Sequence, residues 1–534
     1  MRRHWGVYLL AAALGLALNL PLRWSGRLGF YGDDFTQMDR VLEEPPSAMG
    51  SWSHLAGYLL TDEPLFHVYY DARFHLLGTR PRPHHLMQGI LIWANAVLAF
   101  SLVLRLSGHY LLSFFFLILF ATQPHHGEAY YWPAAVYGPL LLYLLAALHL
   151  AVSWLREGGM AKLAGCGLCY TLAVFTHEAS FGFIGVFGAL WALERAGRLE
   201  GRDGLRFLGP LAAVNAAYLA VRQTRWFGAG DPGFLFDRKL ELGRVWSNFV
   251  SSLSINFGFP GIRRAAALVQ ESAGTASLVI PLVLLLGLLL AVAWPREGAE
   301  AGGASFRRLG AFAAAWFLFA YAPTYVFYLA GRHHYLPSAG VCLLLALALA
   351  SPTRVLAGER RALARGALLG LAACAGAWFH VASVAEGRRW IAAAEYMDNL
   401  KSQLLRARPT LPAGARVVIL DAACAWKGVP AMPGYAVGPA LRLWYGDRDI
   451  RADSGLVPGR DGFGFTGPGH QPYDRLLLLS FRHQALTRRE WLVLEDGARI
   501  RAGSAIEAGR EPVDPAPVSV VTGRRSPDGP CHVD

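Results

Sequence analysis

The 534-residue sequence predicts a polytopic α-helical membrane protein with about eleven transmembrane helices and a small C-terminal α/β domain outside the membrane. The first observation is composition: 54% of residues are hydrophobic, 16% are charged and the mean hydropathy is +0.32, whereas soluble domains carry about 25% charged residues. The second is a series of apolar runs, most of them long enough to cross about 30 Å of hydrocarbon as a helix. The third is the uneven distribution of Lys and Arg between the loops.

Eleven apolar runs are candidate transmembrane helices. Two of them are short, and only His177 and Glu178 separate them. If these two form one broken helix, the chain has ten spans. The runs lie at residues 5–23, 85–106, 108–123, 133–155, 163–176, 179–194, 205–222, 276–294, 309–329, 336–351 and 362–383.

Charge predicts the orientation, because Lys and Arg in short loops prefer the cytoplasmic side. With a cytoplasmic N-terminus and eleven alternating spans, sixteen Lys and Arg residues fall in cytoplasmic segments. The short outer loops (124–132, 177–178 and 330–335) then contain one, Arg332. With ten spans, the segments after His177 would change sides, and Lys and Arg would no longer be concentrated on the cytoplasmic side. The net charge of +12 is therefore a topology signal, and it does not indicate nucleic-acid binding.

The N-terminus resembles a signal peptide, because basic residues precede an apolar core. That core continues to Leu20, and no clear small-x-small cleavage site precedes Asp33. We therefore expect the first span to be retained in the mature protein.

This topology predicts a transmembrane domain over residues 1–385 with two large outer loops, at 24–84 and 223–275. It places an α/β domain over 386–507 on the same outer side. Cys424 and Cys531 also lie there, where a disulfide is permitted, but the sequence leaves their pairing open.

Strand-like runs punctuated by Gly and Pro predict the sheet of the C-terminal domain. They are ARVVIL (415–420), RLLLLSF (475–481) and EWLVLE (490–495). Residues 508–534 are rich in Pro and Gly, and we expect them to be disordered.

Ionisable residues gather at one predicted depth, the outer ends of the spans. Such residues are costly in a membrane and usually mark a function. We therefore expect the clusters to line one cavity at the outer membrane surface. They are GDDF with Asp33 and Asp34, QPHHGEAYYW with His125, His126 and Glu128, THEAS with His177 and Glu178, and GRHHYLP with Arg332, His333, His334 and Tyr335.

Some of these clusters also have a purely structural interpretation. Asp34 could cap the helix that follows it, and His125 and His126 could be interfacial residues beside an aromatic belt. His177 and Glu178 fit this interpretation less well, because they interrupt two apolar helices with almost no loop. Arg332 breaks the topology rule, so we expect a group that requires a cation near it.

Carboxylates, histidines and an arginine at the outer interface fit chemistry on a lipid-linked phosphate. Arginine can bind a phosphodiester in a bidentate manner, and a carboxylate can remove the proton of an acceptor hydroxyl as it attacks a sugar carbon. A divalent metal ion is a minor option, with Asp34, His126 and Glu128 as candidate ligands. No tight HxH or HExxH spacing supports it, and no other cofactor is indicated.

These motifs resemble those of the GT-C superfamily of integral-membrane glycosyltransferases, and the nearest branch is similar to the protein O-mannosyltransferases, including the TPR-bearing transmembrane enzymes and their bacterial relatives. GDDF (32–35) resembles their paired-acid motif, and residues 62–100 are similar to their RPL start, GxxPxxxHLxN core and HxxNA helix. QPHHGEAYYWPAAVYGPLLLYLLA (123–146) resembles HPxHTEA followed by GRxD, FTHEASF (175–181) resembles SKExG, and GRHHYLPSAGVCLLLA (331–346) resembles ERYLYLPSxGFxLLLA. The five motifs keep the family's order over about residues 25–350.

The resemblance implies an inverting transfer of a sugar from a polyprenyl-phosphate donor to a hydroxyl of a periplasmic protein or envelope glycan. It implies a multi-pass enzyme of a bacterial inner (plasma) membrane, with a cytoplasmic N-terminus and a periplasmic C-terminal domain. Asp33 would be the general base, and Asp34 would support it or bind the acceptor or a metal ion. The other implied roles are donor-phosphate binding by Arg332, His333 and His177, and substrate binding by His126, Glu128, Glu178 and Tyr335.

The sequence also departs from the family pattern. His177 replaces the usual Lys, Glu63 stands where the RPL start has Arg, YGPL (137–140) replaces GRxD, and no acid precedes Arg332. No TPR repeats follow the spans. These changes are compatible with a different sugar donor, a different acceptor or lost activity.

Two other classes of protein are therefore alternatives. A transporter or flippase for a lipid-linked sugar would place ionisable residues deep within spans or show an internal repeat, and the sequence has neither. A non-catalytic envelope protein would keep a vestigial cavity and bind a partner through its outer domain. The missing Arg residues favour this second class, whereas the retained acid pair and Arg332 oppose it.

Overall fold

The computed structural model describes most of the chain. Within the described residues the protein is mostly helical, and the predicted span at 276–294 lies outside them. The described residues are 5–43, 58, 63–195, 201–228, 242–257, 302–326, 329–351, 358–411, 416–453, 457–459, 462–464, 476–493, 499–502, 512–514 and 518–519.

Helices cover most of every predicted span that the structure describes. Their bounds are α1 Trp5–Ala17, α2 Leu20–Trp24, α3 Asp33–Glu43, α4 Pro64–Leu77, α5 Pro81–Ser107, α6 Tyr110–Ala121, α7 Gly127–Tyr131, α8 Tyr137–Glu157, α9 Met160–Thr176, α10 Phe183–Glu194, α11 Gly201–Gly228, α12 Leu242–Phe257, α13 Gly302–Val326, α14 Tyr335–Ala350, α15 Gly358–Ala407 and α16 Gly434–Tyr445. Short 3₁₀ turns lie at Pro124–His126, Glu178–Ser180 and Gly331–His334.

Several of these helices are compatible with a membrane protein. Among the described residues, five helical segments have both the length and the apolar composition to cross a bilayer: Pro81–Ser107, Tyr137–Glu157, Arg202–Val221, Gly331–Ala350 and Gly366–Ala407. Helices α9 and α10 are separate, as the alternative with eleven spans expects. The number of helices that cross the membrane remains a prediction.

The first predicted span, 5–23, is interrupted between α1 and α2. Asn19 lies at the break, where its side-chain oxygen accepts a hydrogen bond from the Leu22 N–H (3.0 Å) and its amide donates to the Gly89 carbonyl (2.7 Å). Pro21 occupies the first turn of α2, a position where its missing N–H leaves no helical hydrogen bond unmade. An asparagine within an apolar run therefore ends one helix and caps the next.

The outer segments contain more structure than loops. The segment predicted as the first outer loop carries α3 and α4, and the predicted middle loop carries α12. Helix α15 runs without interruption past residue 385, so the expected domain boundary falls inside a helix. The division into domains remains a prediction.

Within the described residues, a five-stranded sheet follows α15. Its strands, from one edge to the other, are β11 (Val513–Asp514), β8 (Ala485–Arg489), β7 (Leu476–Arg482), β1 (Arg416–Leu420) and β4 (Arg451–Asp453). Strand β1 pairs in parallel with β4 and β7, and β7 and β8 form a hairpin whose turn residues, His483 and Gln484, both have positive φ. Two positive φ values match the twist of a two-residue hairpin. The strands are β1 Arg416–Leu420, β2 Ala425–Trp426, β3 Val429–Pro430, β4 Arg451–Asp453, β5 Val457–Gly459, β6 Gly462–Gly464, β7 Leu476–Arg482, β8 Ala485–Arg489, β9 Trp491–Val493, β10 Arg499–Arg501, β11 Val513–Asp514 and β12 Val518–Ser519.

The three predicted strand runs coincide with β1, β7 and β9. The segment expected to be disordered differs from the prediction, because it contributes β11 and β12. Val513 pairs with Arg488 of β8, and Val518 pairs with Leu492 of β9. Two short valine-containing segments thus pair with β8 and β9. The local Pro and Gly content did not predict this pairing.

The buried apolar residues form two cores. The first joins the apolar helices and includes Phe100, Leu144, Phe187 and Leu343. The second joins the sheet, α16 and the end of α15 to α3, the helix that begins with the acid pair. In it, α3 contributes Phe35, Met38 and Val41, the sheet contributes Val417 and Leu477, and α15 and α16 contribute Leu404 and Leu441. The acid pair is therefore carried by a helix that belongs to the C-terminal core.

A close approach of α13 and α14 shows how tightly the first core is packed. Gly340 of α14 faces the α13 backbone, where a Cβ would lie 2.5 Å from the Ala313 carbonyl oxygen and 2.7 Å from the Phe317 nitrogen. Small residues allow such contacts between helices in a membrane, where close packing drives association.

We expect Gly340→Ala to lower the melting temperature of the detergent-solubilised protein, because the added methyl group pushes the two helices apart at a cost of about 1–3 kcal/mol. Thermal unfolding followed by circular dichroism would measure the effect. Gly167→Ala in α9 is the matched control, since no neighbouring heavy atom lies within 4 Å of the position that its added methyl group would take. Equal melting temperatures for the two variants would contradict the close packing.

Candidate functional site

A cavity of about 370 Å³ lies where the two cores meet. Its polar lining includes residues from three of the four clusters that the sequence singled out: Asp33, His177, Glu178 and Arg332. These residues come from chain segments up to about 300 positions apart, so only the fold brings them together. The rest of the lining is Gln37, Glu63, Phe66, His67, Trp132, Ala134, Ala135, Val136 and Tyr137.

The backbone around Gly32 directs the two acids of GDDF differently. Gly32 has a φ of +38°, a conformation that a residue without Cβ adopts most readily, and α3 begins directly after it. Asp33 is half-buried and lines the cavity, whereas Asp34 is fully buried. Two adjacent carboxylates therefore have different surroundings.

Asp34 has a structural role. Its Oδ2 accepts a hydrogen bond from the Tyr31 N–H (3.0 Å), so the side chain satisfies a backbone donor just before the helix. Burial raises the pKa of Asp34 well above its usual range, although the Tyr31 N–H and the buried Arg73 oppose this shift, and Asp33 adds to it. Asp34 lies inside α3, which begins at Asp33, so it is not the N-cap residue of the sequence alternative, and its role in a reaction stays a prediction.

Asp33 is held by a neutral donor. The Tyr435 hydroxyl of α16 donates to Asp33 Oδ1 at 2.7 Å. Within the described part of the chain, no Lys, Arg or His pairs with Asp33. Because Asp33 lines the cavity and Asp34 does not, Asp33 is the better placed of the two acids to contact a substrate.

His177 lies at the break between α9 and α10. Its backbone is extended, and its Nδ1 accepts a hydrogen bond from the Ala179 N–H (3.1 Å), which caps the 3₁₀ turn after it. Its Nε2 lies 3.5 Å from a Glu63 oxygen, and its Nδ1 lies 3.7 Å from a Glu178 oxygen. The imidazole is thus placed between two carboxylates at the cavity wall.

Glu63, His177 and Glu178 are the residues best placed to hold a divalent ion, because one ligand atom of each lies within 4.8 Å of the others. Binding through Nε2 would require the ring proton to sit on Nδ1. That atom accepts a hydrogen bond from Ala179, so an ion would have to displace this bond. The set named from the sequence, Asp34, His126 and Glu128, is not brought together as ligands by the described residues.

Arg332 is fixed by Glu128 and an aromatic ring. Its backbone N–H and its guanidinium both donate to Glu128 Oε2, at 3.0 and 3.3 Å. The guanidinium carbon lies 5.5 Å from the centre of the Trp132 ring, a favourable cation–π distance. Gly331 permits the contact, since a Cβ there would lie 2.7 Å from Glu128 Oε1. Glu128 therefore orients the cavity arginine and does not itself line the cavity.

Three other predicted site residues lie in the fold behind the cavity. His126 is fully buried, with its Nε2 2.6 Å from the Ser338 hydroxyl, and burial lowers the pKa of His126 well below its usual range. Tyr335 is fully buried and its hydroxyl accepts from the Asn95 amide (3.2 Å). His333 is buried, and its Nδ1 accepts from the Ala330 N–H (3.0 Å). These contacts fit structural roles, and the ligand-binding roles of these residues stay predictions.

Several cavity residues were not expected from the sequence. Glu63 was visible there only as a departure from the RPL pattern, and it now lies beside His177, another departure. Tyr435, which bonds to the cavity residue Asp33, comes from a segment with no recognisable motif. Trp132 ends the QPHHGEAYYW motif and Tyr137 begins YGPL, and both motifs were considered mainly for their charges.

No protein-family model matches the chain, and a search of curated proteins finds no similar sequence. The resemblance of the motifs to GT-C glycosyltransferases therefore stays an expectation. The cavity and its lining residues are an observation that does not depend on this resemblance.

We expect the stability of the protein to depend on pH through Asp34. Because burial raises its pKa, the folded chain keeps this proton at pH values where the unfolded chain, with a carboxyl pKa near 4, has lost it. The unfolded state then binds fewer protons, so stability falls as pH rises, by about 1.4 kcal/mol for each unit of pKa difference. Asp34→Asn removes this dependence.

The measurement is the melting temperature in detergent between pH 5 and pH 8. The wild-type curve should fall more steeply with pH than that of Asp34→Asn. Asp449→Asn makes the same chemical change at an exposed position and should parallel the wild type. Parallel curves for all three proteins would show that Asp34 is not buried as described.

Proposed function

We propose that the protein is an inverting glycosyltransferase that moves a sugar from a polyprenyl-phosphate donor to a hydroxyl of an acceptor. The observation that carries this proposal is the meeting of Asp33, Glu178 and Arg332 at one cavity next to apolar helices. A base, an arginine and a membrane-facing scaffold are the parts that a reaction on a lipid-linked phosphate requires. The motif resemblance supports the same reaction.

In the proposed reaction the Asp33 carboxylate accepts the proton of the acceptor hydroxyl. The acceptor oxygen forms a bond to the anomeric carbon from the side opposite the phosphate, and the bond between that carbon and the phosphate oxygen breaks. The electron pair of this bond leaves with polyprenyl phosphate, so the configuration at the sugar carbon is inverted. A general base of this kind contributes about 10²–10⁴ to a rate.

Arg332 would stabilise the charge that develops on the leaving phosphate. Its guanidinium presents five donors in a fixed fork, and Glu128 and Trp132 restrain its orientation. An electrostatic partner that is already oriented needs no rearrangement during the reaction. Phosphate is also a good leaving group, so the mechanism does not depend on a strong general acid.

The sugar would be held by the remaining carboxylates and rings of the cavity. Glu63 and Glu178 offer acceptors for sugar hydroxyls, and Phe66, Trp132 and Tyr137 offer apolar faces. This mixture of a few polar groups among aromatic side chains is common in small-molecule sites. If a divalent ion binds Glu63, His177 and Glu178, it would supply additional positive charge there.

We further propose that the site faces the periplasm, with a protein or an envelope glycan as the acceptor. Cys424 is disulfide-bonded, whereas the cysteines of the apolar helices, Cys166, Cys169, Cys342 and Cys374, are free. Disulfides persist in oxidising compartments, which supports an outer position for the C-terminal part. A bacterial inner membrane fits this arrangement.

The first test uses purified protein in lipid, a panel of polyprenyl-phosphate sugars and a crude envelope extract as acceptor. Wild type should release polyprenyl phosphate from one of the donors. We expect Asp33→Asn to lower this rate by about 10²–10⁴, because the amide cannot accept the proton. Asp34→Asn, the same change one residue away, should retain most of the activity.

The other outcomes separate the alternative classes. If Asp34→Asn abolishes turnover and Asp33→Asn does not, the base is misassigned and the reaction class stands. If wild type binds donors and consumes none, a vestigial site or a transporter replaces the proposal. Movement of a fluorescent donor across the bilayer would then distinguish these two.

A second prediction concerns Arg332. We expect Arg332→Gln to raise the KM for the donor by about tenfold or more, because one charged hydrogen bond to phosphate contributes about 1.5–3 kcal/mol. Arg389→Gln is the matched control, since Arg389 also pairs with a glutamate, Glu386 (2.8 Å), but does not line the cavity. Similar KM values for the two variants would exclude Arg332 as a phosphate contact.

A further inference from the structure

Residues 430–448, which we call the docking segment, hold the helix that carries Asp33. The Gly32 N–H donates to the Ala431 carbonyl (3.3 Å). Arg442 forms a two-point ion pair with Asp39, with Nε 2.8 Å from Oδ1 and a second bond from Nη2 to Oδ2. Both ends of α3 are therefore tied to the docking segment, because Arg448 also donates to the Leu42 carbonyl.

Apolar packing continues the same contact. Phe35 and Met38 of α3 are buried in one core with Ala436, Val437 and Leu441 of α16. Burial of such side chains contributes about 25 cal/mol per Å², and the ion pair fixes the register of one helix on the other. The position of α3 thus depends on the docking segment as well as on α4, whose Asp71 pairs with Arg40 of α3 (3.2 Å).

Tyr435 is the residue through which the docking segment contacts Asp33, which lines the cavity. Its hydroxyl donates to Asp33 Oδ1 at 2.7 Å. Asp33 Oδ2 makes no hydrogen bond within the described residues. One carboxylate oxygen is therefore anchored, and the other is left for the acceptor hydroxyl.

We infer that Tyr435 is a positioning residue, which orients the Asp33 carboxylate and makes the docking segment a functional part of the site. This inference rests on the proposed glycosyl transfer. A base must lie within hydrogen-bond distance of the proton that it removes, and a displacement of about 1 Å can lower a rate about 10²-fold. A carboxylate on a half-buried helix terminus can rotate, and a hydrogen bond from a rigid phenol to one oxygen prevents this.

Tyr435 is a neutral donor, so it holds one Asp33 oxygen without forming an ion pair. It is 60% exposed and belongs to neither core.

The test compares Tyr435→Phe with Tyr445→Phe. Both residues lie in α16, and the Tyr445 hydroxyl donates to the Arg408 carbonyl (2.9 Å), whereas the Tyr435 hydroxyl donates to Asp33. Each variant loses one hydroxyl. Two quantities are measured: the kinetics of polyprenyl-phosphate release, and the carbodiimide labelling of Asp33, quantified by mass spectrometry of the full-length protein in lipid.

We expect Tyr435→Phe to lower kcat by about tenfold or more with little change in the donor KM, because the phenol contacts the base and not the donor. Labelling of Asp33 should rise several-fold, because its carboxylate loses the anchoring bond. Tyr445→Phe should match the wild type in both measurements.

Several results would overturn the inference. Equal labelling of Asp33 in the two variants means that Tyr435 does not hold it. Increased labelling with an unchanged kcat means that the contact is structural, and a raised KM with an unchanged kcat makes Tyr435 a substrate contact. In these cases wild-type turnover keeps the proposed function intact. If the wild type consumes no donor at all, the proposed function fails, and the positioning role fails with it.

Discussion

The structure depends on one constraint: backbone polar groups at the helix breaks need hydrogen-bond partners. A buried N–H group without a partner is costly, and nearby side chains supply the partners at the described breaks. In this protein the breaks supply the cavity residues, and polar side chains cap the breaks. In each case a backbone N–H donates to a side chain. The donor and acceptor residues are Leu22 and Asn19, Tyr31 and Asp34, Ala179 and His177, Arg332 and Glu128, and Ala330 and His333.

This constraint explains which features the sequence could predict. Apolar runs and strand-like runs are local signals, and helices and strands occupy them wherever the structure describes the chain. The convergence of the polar clusters was also predictable, because residues at the same end of neighbouring spans share a depth. The individual roles were not. Capping and catalysis select the same residue types, so the sequence could not reveal that His126, His333 and Asp34 also make buried contacts within the fold.

Long-range contacts account for the features that the sequence did not reveal. The helix that begins with Asp33 packs on residues about 400 positions later, through Arg442 and Tyr435, and no periodicity or motif encodes such a distance. The pairing of Glu63 with His177 is similar. In the sequence, Glu63 and His177 each looked like an isolated departure from the family pattern. The structure shows that the two side chains are neighbours.

The distribution of charge in the cavity follows from these contacts. Arg332 is paired with Glu128, whereas Glu63 and Glu178 lie beside His177, whose Nδ1 accepts a hydrogen bond from the Ala179 N–H. The Arg332 guanidinium is thus already oriented, and such a group needs little rearrangement when a ligand enters. Asp33 is different, because its described partner is a neutral phenol. It is the carboxylate at which the proposed transfer would place the base for an attacking hydroxyl.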